Sequence, residues 1–131
     1  MPTENSTQDK SEKTNVLVVD DESAIVALME ETLTTEHLSV TGFSDSQLAL
    51  SHFKDNINKY SLVITDQTMP NLTGVELAKE ISQLQPDIAI ILCSGYSEHV
   101  NKNNLEGTGI TTYMSKPVNM NELEEMVNKH I

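Results

Sequence analysis

The chain has no tryptophan, no arginine, five glycines and a single cysteine in 131 residues. Each shortage excludes something. Cys93 alone cannot close an intrachain disulfide and has no C-x-x-C neighbour with which to hold zinc, so a reduced, cytosolic compartment is expected. The 8 cations are all lysine and face 20 carboxylates, for a formal charge of −12. That balance lacks the clustered cations that phosphate backbones and anionic membranes require, which argues against direct nucleic-acid binding and membrane docking. No apolar run approaches the roughly 20 residues of a membrane span. The polar N-terminus also lacks the basic and apolar segments of a signal peptide. With aromatics at 4%, the core is expected to be aliphatic, drawn from Ile, Leu, Val and Met.

What is present is an alternation of short apolar runs and amphipathic stretches. Residues 1–14 contain almost nothing apolar and read as a disordered tail or linker, leaving 15–131 as one domain. Val16–Val19 is an apolar run that ends in Asp20 and Asp21. Ser23 is positioned to cap a helix carrying Ile25, Leu28, Met29 and Leu33. Ser39–Phe43 is a weaker strand, and a helix from about Ser46 to Asn56 presents Leu48, Ala49 and Phe53. Leu62–Thr65 stops at Asp66, and Thr73 with Glu76 has capping-box spacing for a helix that Pro86 ends.

Ile88–Cys93 is the most apolar run and is followed by Ser94-Gly95-Tyr96. A polar helix is expected over Glu98–Glu106, then a strand over Ile110–Met114 leading to Ser115-Lys116-Pro117. Asn119 with Glu122 can cap a final helix bearing Met120, Leu123, Val127 and Ile131. Five strands alternating with five helices through short loops imply right-handed crossovers and a parallel sheet covered on both faces.

In such a sheet the carboxyl ends of the strands share one edge, where open α/β folds bind their ligands. That edge collects Asp20, Asp21, Asp66, Ser94 and Lys116. Three neighbouring carboxylates repel, and magnesium, a hard cation that takes a few carboxylates and several waters, answers that charge. A metal, a lysine and a hydroxyl together suit the charge of a phosphoryl group in transfer. No Gly-rich loop ending in Gly-Lys-Ser/Thr is present to cradle a nucleotide, and no histidine occupies a strand-end motif. The candidate nucleophile is a carboxylate, and Asp66, on the central strand, is the best placed.

Four pieces in order, Val19-Asp20-Asp21-Glu22, Thr65-Asp66-Gln67-Thr68-Met69-Pro70, Leu92-Cys93-Ser94-Gly95-Tyr96 and Tyr113-Met114-Ser115-Lys116-Pro117, make the chain resemble the receiver domain of two-component response regulators. The resemblance covers Asn15 to Ile131. Asp66–Gly74 and Ser94–Glu98 look most like the C-terminal receivers of hybrid sensor histidine kinases. The resemblance implies a flavodoxin-like, doubly wound fold with strand order 2-1-3-4-5 in three layers. It implies that Asp66 accepts a phosphoryl group from a phosphohistidine of a histidine kinase or histidine phosphotransfer domain. By the same resemblance Asp21, Asp66 and the Thr68 carbonyl would bind Mg2+ (or Mn2+) directly, and Asp20 mainly through water. Lys116 would pair with the phosphoryl oxygens, Ser94 would hydrogen-bond to the phosphoryl group, and Tyr113 would rotate inward. Thr68 and Tyr96 would tune the phosphate lifetime, and the Lys116–Pro117 bond would be cis. A phosphorylation-dependent dimer through the last helices and strand is a further implication.

Three rivals share this fold logic. An aspartate-nucleophile phosphatase of the haloacid dehalogenase type needs a second Asp two positions after the nucleophile, where this chain has Thr68. A flavin module needs a Ser/Thr/Gly-rich loop after the first strand, where this chain has Asp20-Asp21-Glu22, which repels phosphate. A degenerate receiver would lack part of the set of acids, hydroxyl and lysine. The expected module is regulatory more than enzymatic, and either free-standing or part of a larger kinase.

Overall fold

The computed structural model describes residues 13–95 and 107–131. Five parallel strands, β1 (Thr14–Val19), β2 (Leu38–Phe43), β3 (Leu62–Asp66), β4 (Ala89–Ser94) and β5 (Thr112–Ser115), form one sheet in the order β2-β1-β3-β4-β5. This is the flavodoxin-like order expected. Among the described residues there are four helices: α1 (Ser23–Leu33), α2 (Ser46–Lys54), α3 (Gly74–Leu84) and α4 (Met120–His130). The helix expected at Glu98–Glu106 lies outside the described residues, as does Tyr96.

Successive residues of a strand point to opposite faces, and here both faces are dry. Val16, Val18, Leu62, Ile64, Ile91 and Cys93 face one way and pack with Met29 and Leu33 of α1 and Leu123 and Val127 of α4. Leu17, Val19, Val63 and Ile90 face the other way, onto Ala49 and Phe53 of α2 and Leu77, Ala78 and Ile81 of α3. The result is the three-layer arrangement, with the central strands as continuous apolar runs because neither face meets water.

The local signals succeed at some ends and miss at others. Thr73 and Glu76 form the full capping box of α3, and Asn119 caps α4 through Glu122 N–H. At α1 the cap residue is Glu22 and not Ser23, with no side-chain hydrogen bond, whereas Asp45 caps α2 by accepting from Gln47 and Leu48. The buried stripe of α1 is Val26, Met29 and Leu33, leaving Leu28 45% exposed, and Leu48 on α2 is 60% exposed. Ile131 falls just past α4 and is exposed. The last strand begins at Thr112, two residues later than the apolar run suggests: the Thr111 N–H still donates to the Ile90 carbonyl, but the Ile90 N–H goes to the Thr111 hydroxyl and not to a backbone carbonyl, which interrupts the ladder there. The core is aliphatic with two aromatic exceptions, Phe53 and Tyr60, both buried and stacked 6.4 Å apart.

Candidate functional site

β1 and β3 pair through Val19↔Thr65, so the residues that follow, Asp20 and Asp66, emerge side by side at the carboxyl edge. Asp20, Asp21 and Asp66 each offer a carboxylate oxygen, and these lie within 4.8 Å of one another. Asp20 and Asp66 are buried, each 4% exposed, while Asp21 faces solvent. Asp20 Oδ1 accepts the Glu22 N–H at 2.9 Å, which sets the turn out of β1.

Lys116, one residue past β5, reaches the same point. Its ammonium lies 2.5 Å from Asp66 Oδ1, and its backbone N–H donates to the Ser94 carbonyl at 2.9 Å. Ser94 ends β4 with no exposure, and its hydroxyl donates to the Gly95 carbonyl at 3.3 Å. Tyr113 sits half-buried on β5, opposite Leu92. Thr68 is exposed in the loop after β3. The Lys116–Pro117 peptide bond is cis.

The electrostatics show a site short of positive charge. Among the described residues three carboxylates share one ammonium, and burial pushes the Asp20 carboxyl up from 3.8 to about 6, with the nearby Asp66 charge adding to the rise. The Glu22 N–H and Lys116 work against that rise without cancelling it. Such an all-oxygen cluster suits a hard divalent cation held by carboxylates and water. Cys93, in register with Asp66, has its thiol pushed up to about 12, mainly by burial, so it is packing and not a nucleophile.

Two residues that local pattern did not single out hold the loop after Asp66. Asn71 has φ +74°, and Leu72 N–H donates to the Pro70 carbonyl at 2.8 Å, a strained three-residue turn. Ser46, buried at the start of α2, clamps it: its hydroxyl donates to the Pro70 carbonyl at 3.1 Å and accepts the Leu72 N–H at 3.3 Å. Gln67 ties the other end of the loop to α3. The only sequence signal for either was its neighbourhood. Beside the carboxylates, a cleft of about 210 Å³ runs between α1 and the segment after β5, lined by Asp20 and Lys116 and by apolar Ile25, Leu28, Val118 and Met120.

The family model of the response regulator receiver domain matches residues 16–128. The chain belongs to that family. Two-component response regulator ARR12 of Arabidopsis thaliana is 34% identical over 113 residues, which are 85% of this chain and 18% of that protein. The transcriptional regulatory protein KdpE of Staphylococcus aureus is 31% identical over 115 residues, 88% of this chain and 48% of that protein. The chain thus spans less than half the length of either relative. A receiver domain protein from Clostridium thermocellum superposes with a TM-score of 0.83 at 32% identity, covering 90% of this chain and 94% of that one. The receiver domain of Ssk1, solved with the histidine phosphotransfer protein Ypd1 of Saccharomyces cerevisiae, shares the fold at a TM-score of 0.77 and 24% identity, over 90% of this chain and 88% of that one. As a receiver domain of two-component systems, the chain gives the haloacid dehalogenase alternative no support, in keeping with Thr68 where that chemistry needs an acid.

Proposed function

We propose that Asp66 is the phosphoacceptor of this receiver domain and that its phosphorylation switches partner binding. The observation that carries the reading is the buried Asp66 carboxylate held against Lys116 beside Asp20 and Asp21. A carboxylate oxygen of Asp66 attacks the phosphorus of a phosphohistidine. The P–O bond forms as the P–N bond breaks, and the departing imidazole nitrogen takes up a proton. Lys116, already at Asp66, stays to balance the added phosphoryl charge. Ser94 hydrogen-bonds to the phosphoryl oxygens, Tyr113 follows inward, and Thr68 and Tyr96 set how long the group lasts. Asp21, Asp66 and the Thr68 carbonyl would hold Mg2+ or Mn2+ directly and Asp20 mainly through water, and the ion when bound supplies positive charge to offset the three carboxylates.

The donor is a histidine kinase or a histidine phosphotransfer domain. The apolar cleft beside Asp20 and Lys116, with the exposed Leu28 at its rim, offers a helix bearing the phosphohistidine a place to pack. The module is a switch in the cytosol more than an enzyme, and its loop motifs favour the receiver of a hybrid kinase. Self-association on phosphorylation through β5 and α4 would follow from Tyr113 lying on that edge.

Acetyl phosphate with Mg2+ followed by intact mass tests the acceptor role. The wild-type protein should gain one phosphoryl group and Asp66→Asn none. Equal gain by the Asn variant, or no gain by the wild type, overturns it.

A further inference from the structure

Three polar groups of Gln67 tie the chain just after Asp66 to its surroundings. Its backbone N–H donates to Asp66 Oδ1 at 2.9 Å and to the Cys93 carbonyl at 3.0 Å. Its carbonyl accepts the Gly74 N–H at 3.0 Å, and its side-chain Oε1 accepts the Val75 N–H at 3.0 Å. Gly74 and Val75 open α3. With Thr73 Oγ1 taking the Glu76 N–H at 3.2 Å, each of the first three amides of α3 has an acceptor, and Gln67 supplies two of them.

The start of α3 also presses directly on the acceptor residue. A Cβ at Gly74 would lie 2.3 Å from the Asp66 carbonyl oxygen, and that same oxygen accepts the Thr65 hydroxyl at 2.9 Å. There is no slack between helix and strand end. A shift of the Gln67 peptide therefore moves the N–H that holds the Asp66 carboxylate.

We propose that Gln67 is a positioning residue for phosphorylation of Asp66: its side chain clips the Asp66–Gln67 peptide to α3, so that the Gln67 N–H fixes the orientation of the Asp66 carboxylate. The proposal rests on the phosphoacceptor reading. Glutamine suits the place because the acceptor oxygen must cross the loop to the amide of residue 75. Methionine has the length with only a weak thioether acceptor, and asparagine is one methylene short. Helix capping alone would stabilise the fold and leave the rate untouched. A carboxylate held in the attacking orientation is a rate effect, because small misplacements of a reacting group are expensive.

The test compares wild type, Gln67→Met and Gln67→Glu, the last keeping an oxygen acceptor of the same reach. At saturating acetyl phosphate and Mg2+, Gln67→Met should phosphorylate about tenfold more slowly, and Gln67→Glu should recover most of the rate. The lost cap should lower the Gln67→Met midpoint by a few degrees, so rates are compared at a temperature where all three proteins are folded. Independently of any phosphorylation, the Val75 and Gln67 amides should exchange with solvent faster in Gln67→Met and remain protected in Gln67→Glu. Wild-type rates in Gln67→Met, equal slowing of both variants, or slowing that only tracks loss of folded protein overturns the proposal. Failure of the wild type to accept phosphate removes the phosphoacceptor reading, and the amide exchange then still judges the clip: equal Val75 exchange in wild type and Gln67→Met overturns it.

Discussion

The Lys116 ammonium meets Asp66 Oδ1 at 2.5 Å by reaching past the end of β4, the strand that separates their two strands in the sheet. The lysine side chain is one-third exposed and the aspartate 3%. The stem therefore carries a partly hydrated charge to a dry one. Removing the cation leaves the buried carboxylate beside Asp20 with less to offset it, and broken buried pairs are strongly destabilising. Partial hydration of the lysine lowers the figure.

Lys116→Met should therefore cost about 1–2 kcal/mol of stability in chelator. Adding Asp66→Asn should return most of that loss, since the uncompensated charge goes with it. Urea unfolding of the single and double variants gives the coupling directly. Additive losses would mean the pair is a geometric neighbour and nothing more.

The Asp20 carboxyl is raised from 3.8 to about 6, chiefly by burial. The folded protein therefore binds more protons than the unfolded chain between those values, and stability falls as pH rises through that window. Asp20→Asn removes the ionisation. In chelator it should match the wild type near pH 4 and exceed it by about 1–3 kcal/mol at pH 7.5. Magnesium should narrow the gap by stabilising the wild type. Denaturant titrations at the two pH values, with and without metal, provide the check; a gap that grows towards low pH would reverse the sign and refute the account.

Gly74 opens α3 where a Cβ would stand 2.3 Å from the Asp66 carbonyl oxygen and 2.6 Å from Leu92 Cδ1. The leucine can move; the backbone oxygen cannot without moving the acceptor. Gly74→Ala should lose about 1–3 kcal/mol despite alanine's better helix propensity. It should also slow phosphorylation at saturating donor. Thermal unfolding beside a single-turnover assay separates the two effects.

Much of this site was legible in the sequence because a parallel sheet brings strand ends together whatever the chain separation. Asp20, Asp21, Asp66, Ser94 and Lys116 each follow or end an apolar run, and the structure brings the three acids and the lysine to one point. Gln67 and Ser46 were not legible in the same way. Their partners, Val75 and Pro70, are set by how the loop folds back and by where α2 docks, and no periodicity records that. Leu28 and Leu48 misled for another reason. Apolar spacing identifies a helix, but its phase against the sheet decides which leucine is covered, and α1 turns Val26 inward instead. Tyr60 belongs to no periodic segment, and its hydroxyl pairs with His52 Nε2 at 2.7 Å, a partner set by the fold. The helix expected at Glu98–Glu106 falls outside the described residues.

The carboxyl edge draws its charges from the ends of β1, β3 and β5, so no short fragment of the chain carries them all. The acid cluster and its lysine come into being only once widely separated stretches of chain have docked. A truncated or misassembled chain would then present no acceptor at all. On the phosphoacceptor reading, transfer to Asp66 doubles as quality control: a signal passes only through molecules in which β1, β3 and β5 have docked.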